Sequence, residues 1–220
     1  MLAHALDIHP LEFRVGDFVE GLQELERHPI TSSRVHDFLI GAPLRAQALQ
    51  PYLFWNTGAY TRNLIYRDAF FEVLALCWLP GQKTPVHSHN GQLGWITVIQ
   101  GEVVCRDYQF VRASSEQVRP DATGLRRVGV ELTGTAQHQA DGKVVMVDRR
   151  RTTHQIENVE GSKCGSITLH IYSKPIDSCA VFEPMKRCCE RRSLHYYSVG
   201  GTVLSPECWK PQPIKTLSGI

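Results

Sequence analysis

The sequence predicts an all-β fold, a barrel or sandwich with short helices placed ahead of it. Two observations carry that expectation. From Tyr60 onward, short runs rich in valine, isoleucine, threonine and aromatics alternate with turn residues, the texture of many short strands rather than of a helical bundle. Residues 1–52 instead carry apolar residues at helical spacing.

The elements follow in order. Phe18, Val19, Leu22 and Leu25 recur at helical spacing after Asp17, which is expected as the N-cap. Ser32 or Ser33 is expected to cap a second short helix running through Phe38 and Leu39, and Pro43 to open a third around residues 44–49. Strands are expected at 70–79, 94–100, 103–111, 128–132, 143–147 and 166–172. The polar stretch 113–123, with Pro120 inside it and Gly124 after it, reads as a long hairpin loop. Residues 185–220 read as a C-terminal strand and tail, in which Pro206, Pro211 and Pro213 mark extended chain over the surface. The whole chain, 1–220, is expected as one domain: a helical part at 1–52, a barrel at 58–184 and the terminal segment.

Composition narrows the function. With 220 residues, 42% hydrophobic, the chain can bury one sizeable core. A net charge of +2 gives no general attraction for nucleic acid, and no basic segment carries interleaved aromatics. Residues 1–10 lack an apolar core of signal-peptide length, and no stretch approaches a membrane span. The expected protein is soluble, cytoplasmic and monomeric, with a small-molecule partner and neither nucleic acid nor membrane. The seven cysteines, at 77, 105, 164, 179, 188, 189 and 208, contain no CxxC pair. Cys77 and Cys105 lie in apolar runs and read as small hydrophobes. The run Arg149 to Arg151 reads as a solvated loop.

The histidines carry the chemistry. His87 and His89 flank one residue, and side chains at i and i+2 of a strand leave the same face about 6.6 Å apart, so both rings can aim at one point. His154, followed by Asn158 four residues on, offers a third ring from a neighbouring strand. Three neutral imidazoles suit a first-row transition metal and leave coordination positions open. Thr168, His170 and Tyr172 alternate with Leu169 and Ile171, so three polar groups share one strand face and can form a chain of hydrogen bonds. Trp78 and Trp95 read as core or pocket wall.

The spacing Gly81-x5-His87-x-His89-x4-Gly94-x6-Gly101 resembles the first motif of the cupins, and His154-x3-Asn158 resembles part of the second. Many cupins carry a glutamate ligand where this chain has Gly94. Five segments narrow the resemblance: Tyr60-Thr61-Arg62-Asn63-Leu64, Leu76-Cys77-Trp78, His87-Ser88-His89, Thr168 to Ser173, and Pro175-Ile176-Asp177-Ser178-Cys179. Together, over roughly residues 50–184, they resemble the cysteine dioxygenase family. That resemblance implies a cupin double-stranded β-helix barrel, or jelly roll. It implies Fe(2+) held by His87, His89 and His154, with L-cysteine and O2 as reactants and cysteine sulfinic acid as product, and no organic cofactor. It places Arg62 and Tyr60 against the substrate, and Tyr172, oriented by His170 and Thr168, beside the reacting sulfur. A guanidinium takes a carboxylate through two parallel hydrogen bonds. Relatives acting on 3-mercaptopropionate typically carry glutamine at the position of Arg62, which favours cysteine here. Some animal members carry a cysteine at the position of Gly94 that becomes bonded to the matching tyrosine; glycine cannot form that link. A dioxygenase for another thiol carboxylate, 3-mercaptopropionate or mercaptosuccinate, and a non-catalytic metal-binding cupin are the alternative readings.

Overall fold

The computed structural model describes residues 13–111, 126–147 and 153–205. The expected loop at 113–123, the arginine run at 149–151, the first ten residues and the proline-marked tail lie outside the described residues.

Three helices lead the described chain: α1 (Val15–Glu26), α2 (Ser32–Gly41) and α3 (Ala46–Leu49), the last running into a 3-10 turn at Gln50–Tyr52. Their caps differ from the sequence expectation by a few residues. Asp17 sits inside the first turn of α1, where its carboxylate accepts from the backbone N–H of Arg14 at 3.3 Å; an acid there also suits the positive end of the helix. Thr31, rather than Ser32 or Ser33, caps α2, its hydroxyl accepting from Arg34 N–H. The third helix starts later than Pro43 suggests, because Ala42 and Leu44 are drawn into the core as non-helical chain.

The strands are β1 (Thr61–Arg67), β2 (Glu72–Trp78), β3 (Val86–His87), β4 (Leu93–Gln100), β5 (Glu102–Val111), β6 (Arg126–Arg127) and β7 (Gly129–Gln139). They continue with β8 (Val144–Val147), β9 (Thr153–Glu157), β10 (Ser166–Ser173), β11 (Ser178–Glu183), β12 (Cys188–Ser193), β13 (Ser198–Val199) and β14 (Thr202–Val203). One sheet has the order β14-β13-β1-β2-β10-β4-β8, the other β6-β12-β11-β3-β9-β5-β7. The two face each other as the jelly-roll barrel of a cupin, closed around an apolar interior. Among the described residues no helix is long and apolar enough to cross a membrane.

The strand pleat sorts side chains between two cores. On β2 and β10, the residues Val73, Leu169 and Ile171 point outward into a cluster with Phe18, Leu22, Val35 and Leu39 of the helices. Their neighbours Leu74, Leu76, Trp78 and Tyr172 point inward with Ile96, Val98 and Ile156. Both faces of these central strands are covered, which is why every residue of β2 and β10 is buried. Trp95, fully buried, joins the outer core and donates its indole N–H to the Ser32 carbonyl of α2 at 3.2 Å. Burial of one such aromatic contributes about 1.5–3 kcal/mol. Gly21 lets the two long helices close together: a Cβ there would stand 2.4 Å from the Phe38 ring. The helices thereby fix the outer face of the strands that carry the interior chemistry.

Candidate active site

A cavity of about 190 Å³ opens inside the barrel, lined by histidines, arginines and apolar side chains from both sheets. His87 ends the short strand β3 and pairs in register with His154 of β9 on one side and Val181 of β11 on the other. His89 lies past the end of β3, so the expected i, i+2 pair on one strand holds only for its first member. The second is placed by a turn. Asn90 and Gly91 adopt left-handed backbone (φ 52° and 71°), and the Gln92 N–H returns to the His89 carbonyl at 2.9 Å.

The rings nevertheless converge. Ring centroids are 4.9 Å apart for His87–His89, 4.9 Å for His87–His154 and 4.7 Å for His89–His154, and one nitrogen from each lies within 4.8 Å of the others. His87 donates Nδ1–H to the Pro85 carbonyl at 3.0 Å, which leaves Nε2 as its lone-pair nitrogen. His154 Nδ1 contacts Cys105 Sγ at 3.5 Å, and its buried Nε2 has no protein hydrogen-bond partner. An orphaned buried nitrogen facing two further imidazoles is what a bound cation would satisfy. Burial pushes His87 down to about 4 and His154 well below the usual histidine range, so both rings are neutral at pH 7. Neutral nitrogen donors in this number fit a transition-metal ion with open positions.

Beside them runs a chain of hydrogen bonds across the inner faces of β2 and β10. Trp78 Nε1–H donates to Thr168 Oγ1 at 2.8 Å, Thr168 Oγ1 meets His170 Nε2 at 2.8 Å, and His170 Nδ1 meets Tyr172 OH at 3.0 Å. An indole is a donor only, so Thr168 accepts from Trp78 and its own O–H is left to donate. Donated to His170 Nε2, it selects the tautomer with the proton on Nδ1, which then donates to the Tyr172 oxygen. The phenolic proton of Tyr172 is then left to point into the cavity. Burial holds His170 down at about 3 and raises the Tyr172 phenol, keeping the imidazole neutral and the phenol protonated. The Tyr172 ring stacks at 5.7 Å on His89. Gly94 lies directly opposite Tyr172 in the β4–β10 ladder, and a Cβ on it would stand 3.0 Å from the phenol ring.

Arg62 reaches the cavity from β1, its side chain 11% exposed. Its Nε and Nη2, the two nitrogens of one edge of the guanidinium, are buried and make no hydrogen bond among the described residues. That edge matches the two oxygens of a carboxylate. Tyr60 stacks on Trp78 with centroids 4.6 Å apart and lines the same cavity. The structure thus brings Tyr60, Arg62, His87, His89, His154, Thr168, His170 and Tyr172 to one region of the barrel.

Sequence reasoning missed Glu72, Tyr196 and Arg192, and gave Cys105 and Trp78 packing roles alone. Glu72, inside the strand expected at 70–79, is fully buried beside Arg62 and Arg67. Cys105 reads as a hydrophobe, yet touches His154. Tyr196 and Arg192 come from the C-terminal segment, where no motif marks them; Arg192 lines the cavity opposite Cys179 in the β11–β12 ladder. Trp78, read as a wall, is the donor that gives the hydrogen-bond chain its direction.

A cupin barrel with three converging imidazoles defines the class: a candidate metal-centre cupin. Within that class the chain belongs to the cysteine dioxygenase type I family, whose model matches residues 27–185. It is 24% identical over 134 residues to cysteine dioxygenase type 1 of Rattus norvegicus and 24% over 136 residues to that of Homo sapiens, covering 60% of this chain and 60% of each relative. The match to the Danio rerio protein is 25% over 169 residues, 76% of this chain and 78% of that one. The matches to the rat and human proteins thus span three-fifths of those relatives' length. Among solved structures, a Klebsiella pneumoniae protein with a double-stranded β-helix domain aligns at TM-score 0.39 and 16% identity, covering 61% of this chain and 94% of its own.

Proposed function

We propose that this protein is a non-haem iron(II) dioxygenase that oxidises the thiol of L-cysteine with O2 to cysteine sulfinic acid. One observation carries the reading: the three-imidazole cluster, the unbonded edge of Arg62 and the Tyr172 hydroxyl are gathered at one cavity. Such a cavity suits a small molecule with a metal-seeking sulfur at one end and a carboxylate at the other. His87, His89 and His154 would hold the iron, which supplies thiolate capture and activation of O2 when bound.

The protein's own groups do the rest. Arg62 takes the substrate carboxylate through Nε–H and Nη2–H and so fixes the distance from carboxylate to sulfur. Tyr60, held flat against Trp78, bounds that subsite. Tyr172 directs its hydroxyl proton at the reacting sulfur and oxygen, held there by His170 and, behind it, by Thr168 and Trp78. Leu74, Leu76, Ile156, Ile176 and Val181 give the cavity an apolar stretch of wall, alongside the polar Thr84, Ser88 and Ser193. Both atoms of O2 end on the sulfur, so RSH and O2 give RSO2H with no external reductant.

A second reading is favoured by Arg192. Although Glu72 and Glu190 stand beside the two guanidiniums, no carboxylate lines the cavity itself among the described residues, which suits a thiol with two acidic groups, of which mercaptosuccinate is the simplest. An oxygen electrode with iron-loaded protein separates the readings across L-cysteine, 3-mercaptopropionate and mercaptosuccinate, with the sulfinate product identified by mass. L-cysteine is expected to drive oxygen uptake with matching sulfinate. Faster uptake on mercaptosuccinate moves the assignment to the dicarboxylate, and no uptake on any thiol leaves a metal-binding cupin without turnover. Arg62→Ala is expected to raise KM for L-cysteine far more than it lowers kcat.

A further inference from the structure

Glu72 has no part in the chemistry described above, yet it is the most completely buried acid among the described residues. Its surroundings are unusual for a strand glutamate. Oε2 accepts the backbone N–H of Ile176 at 3.2 Å, and Oε1 accepts the hydroxyl of Tyr196. Oε1 also lies 3.7 Å from Arg62 Nη2 and 4.0 Å from Arg67 Nη1. Arg67 is in turn tied to the Tyr196 oxygen at 2.5 Å and to Asp177 at the surface at 2.8 Å. The Tyr196 ring underlies Arg62, whose guanidinium carbon stands 5.7 Å from the ring centroid. Arg62 is therefore held on two sides, by an anion and by an aromatic face, while its Nε–Nη2 edge stays unbonded.

We infer that Glu72 and Tyr196 are positioning residues for Arg62: together they set the angle at which its open edge meets a substrate carboxylate. The physical case rests on what each contact can do. Glu72 is the only acid within ion-pair distance of Arg62 among the described residues, and a guanidinium this deeply placed without a counter-charge would swing toward solvent. At 3.7 Å from Nη2 the carboxylate stands beyond hydrogen-bond distance, so it balances the charge while Nε and Nη2 make no hydrogen bond. Tyr196 has two functions: its hydroxyl anchors Oε1 of Glu72, and its π face fixes the guanidinium plane. The Arg67–Asp177 pair ties the far end to the surface. Because a small misplacement of a binding group can cost orders of magnitude in rate or affinity, the clamp decides how strongly a carboxylate-bearing thiol is preferred over one without.

This inference rests on the assignment of Arg62 as the carboxylate clamp, and the test keeps the two apart. Anaerobic calorimetric titration of iron-loaded protein with L-cysteine and with cysteamine, which lacks the carboxylate, measures the preference directly, and KM and kcat for L-cysteine accompany it. Iron content and thermal melting confirm that each variant is folded and loaded. Glu72→Gln is expected to weaken L-cysteine binding by about tenfold or more and leave cysteamine binding unchanged. Tyr196→Phe, which keeps the ring and removes only the hydroxyl, is expected to move the same ratio less. Arg62→Ala is the reference. If it abolishes the preference while Glu72→Gln and Tyr196→Phe retain it, the positioning role is overturned and the clamp stands. If the preference survives in Arg62→Ala, the clamp assignment falls and the inference with it. Weakening of both ligands alike by Glu72→Gln would show a general structural effect and also refute the inference.

Discussion

Replacing Thr168 by valine tests the directed hydrogen-bond chain while barely changing side-chain volume. Thr168 and Trp78 are wholly buried and His170 is 2% exposed, so water cannot take over the lost contacts. The substitution strands the Trp78 indole N–H, whose acceptor stands at 2.8 Å, and the His170 Nε2, whose donor stands at 2.8 Å. Each buried group left unpaired costs about 1–3 kcal/mol, so unfolding free energy is expected to fall by about 2–6 kcal/mol. For a chain of this size a loss of about 3 kcal/mol corresponds to a Tm lower by roughly 6–12 °C. The functional effect follows from the tautomer. With no donor at Nε2, the imidazole can place its proton there, accept from Tyr172 at Nδ1, and turn the phenolic proton away from the cavity. Urea unfolding of the metal-free protein and kcat/KM of the iron-loaded protein read the two effects separately. Thr168→Ser, which keeps the hydroxyl, is expected to restore most of both. A Thr168→Val protein within about 0.5 kcal/mol of the parent and equally active would show that the direction assigned to the chain is wrong.

Three further outcomes are expected. His154→Ala should lose iron, whereas Cys105→Val should keep the ligand but loosen its orientation through Nδ1, lowering metal affinity by about 10–100-fold in competitive chelator titrations. Unchanged affinity in Cys105→Val would make that contact incidental. Gly94→Ala should cost about 1–3 kcal/mol in a thermal or denaturant melt, because the new methyl meets the Tyr172 ring at 3.0 Å and Val147 at 3.2 Å. Metal-free protein should lose stability on acidification. His170 is held at about 3 in the fold by burial and titrates near 6.5 when unfolded, so the unfolded chain takes up the proton first as pH falls from about 6.5 toward 3. The loss approaches about 1.4 kcal/mol per pH unit from this residue alone within that window, and a flat stability profile between pH 6.5 and 4 would contradict the burial argument.

Much of the barrel is legible in the sequence where the pattern is strong and local. The alternation Thr168-Leu169-His170-Ile171-Tyr172 assigns two faces, and the structure places Leu169 and Ile171 against the helices and the polar three inside. The strand expected at 128–132 runs on to Gln139, because residues 133–139 are polar and largely exposed on an edge strand that presents no apolar stripe. Ser178–Glu183 is not among the expected strands: these six residues, flanked by Pro175 and Pro184, form a strand through pairing with β3 and β12. At the site, the convergence of His87, His89 and His154 follows from spacing and motif. Glu72, Tyr196 and Arg192 do not, because their meaning depends on partners roughly ten to 120 residues away in the chain. Local sequence carries faces and turns; it does not carry which charge is buried beside which.

Because β10 is gripped by helices behind and by the barrel in front, the groups that handle the proton sit on an anvil that cannot easily shift. Arg62, Arg192 and Tyr196 come instead from β1, β12 and the connection after β12, none of which buries a side chain fully among the helices as β10 does. A lineage could therefore retune what the cavity accepts by altering those elements while the wall built on β10 stays fixed. Conversely, lesions in α1 or α2, remote from any substrate, should blunt the chemistry itself.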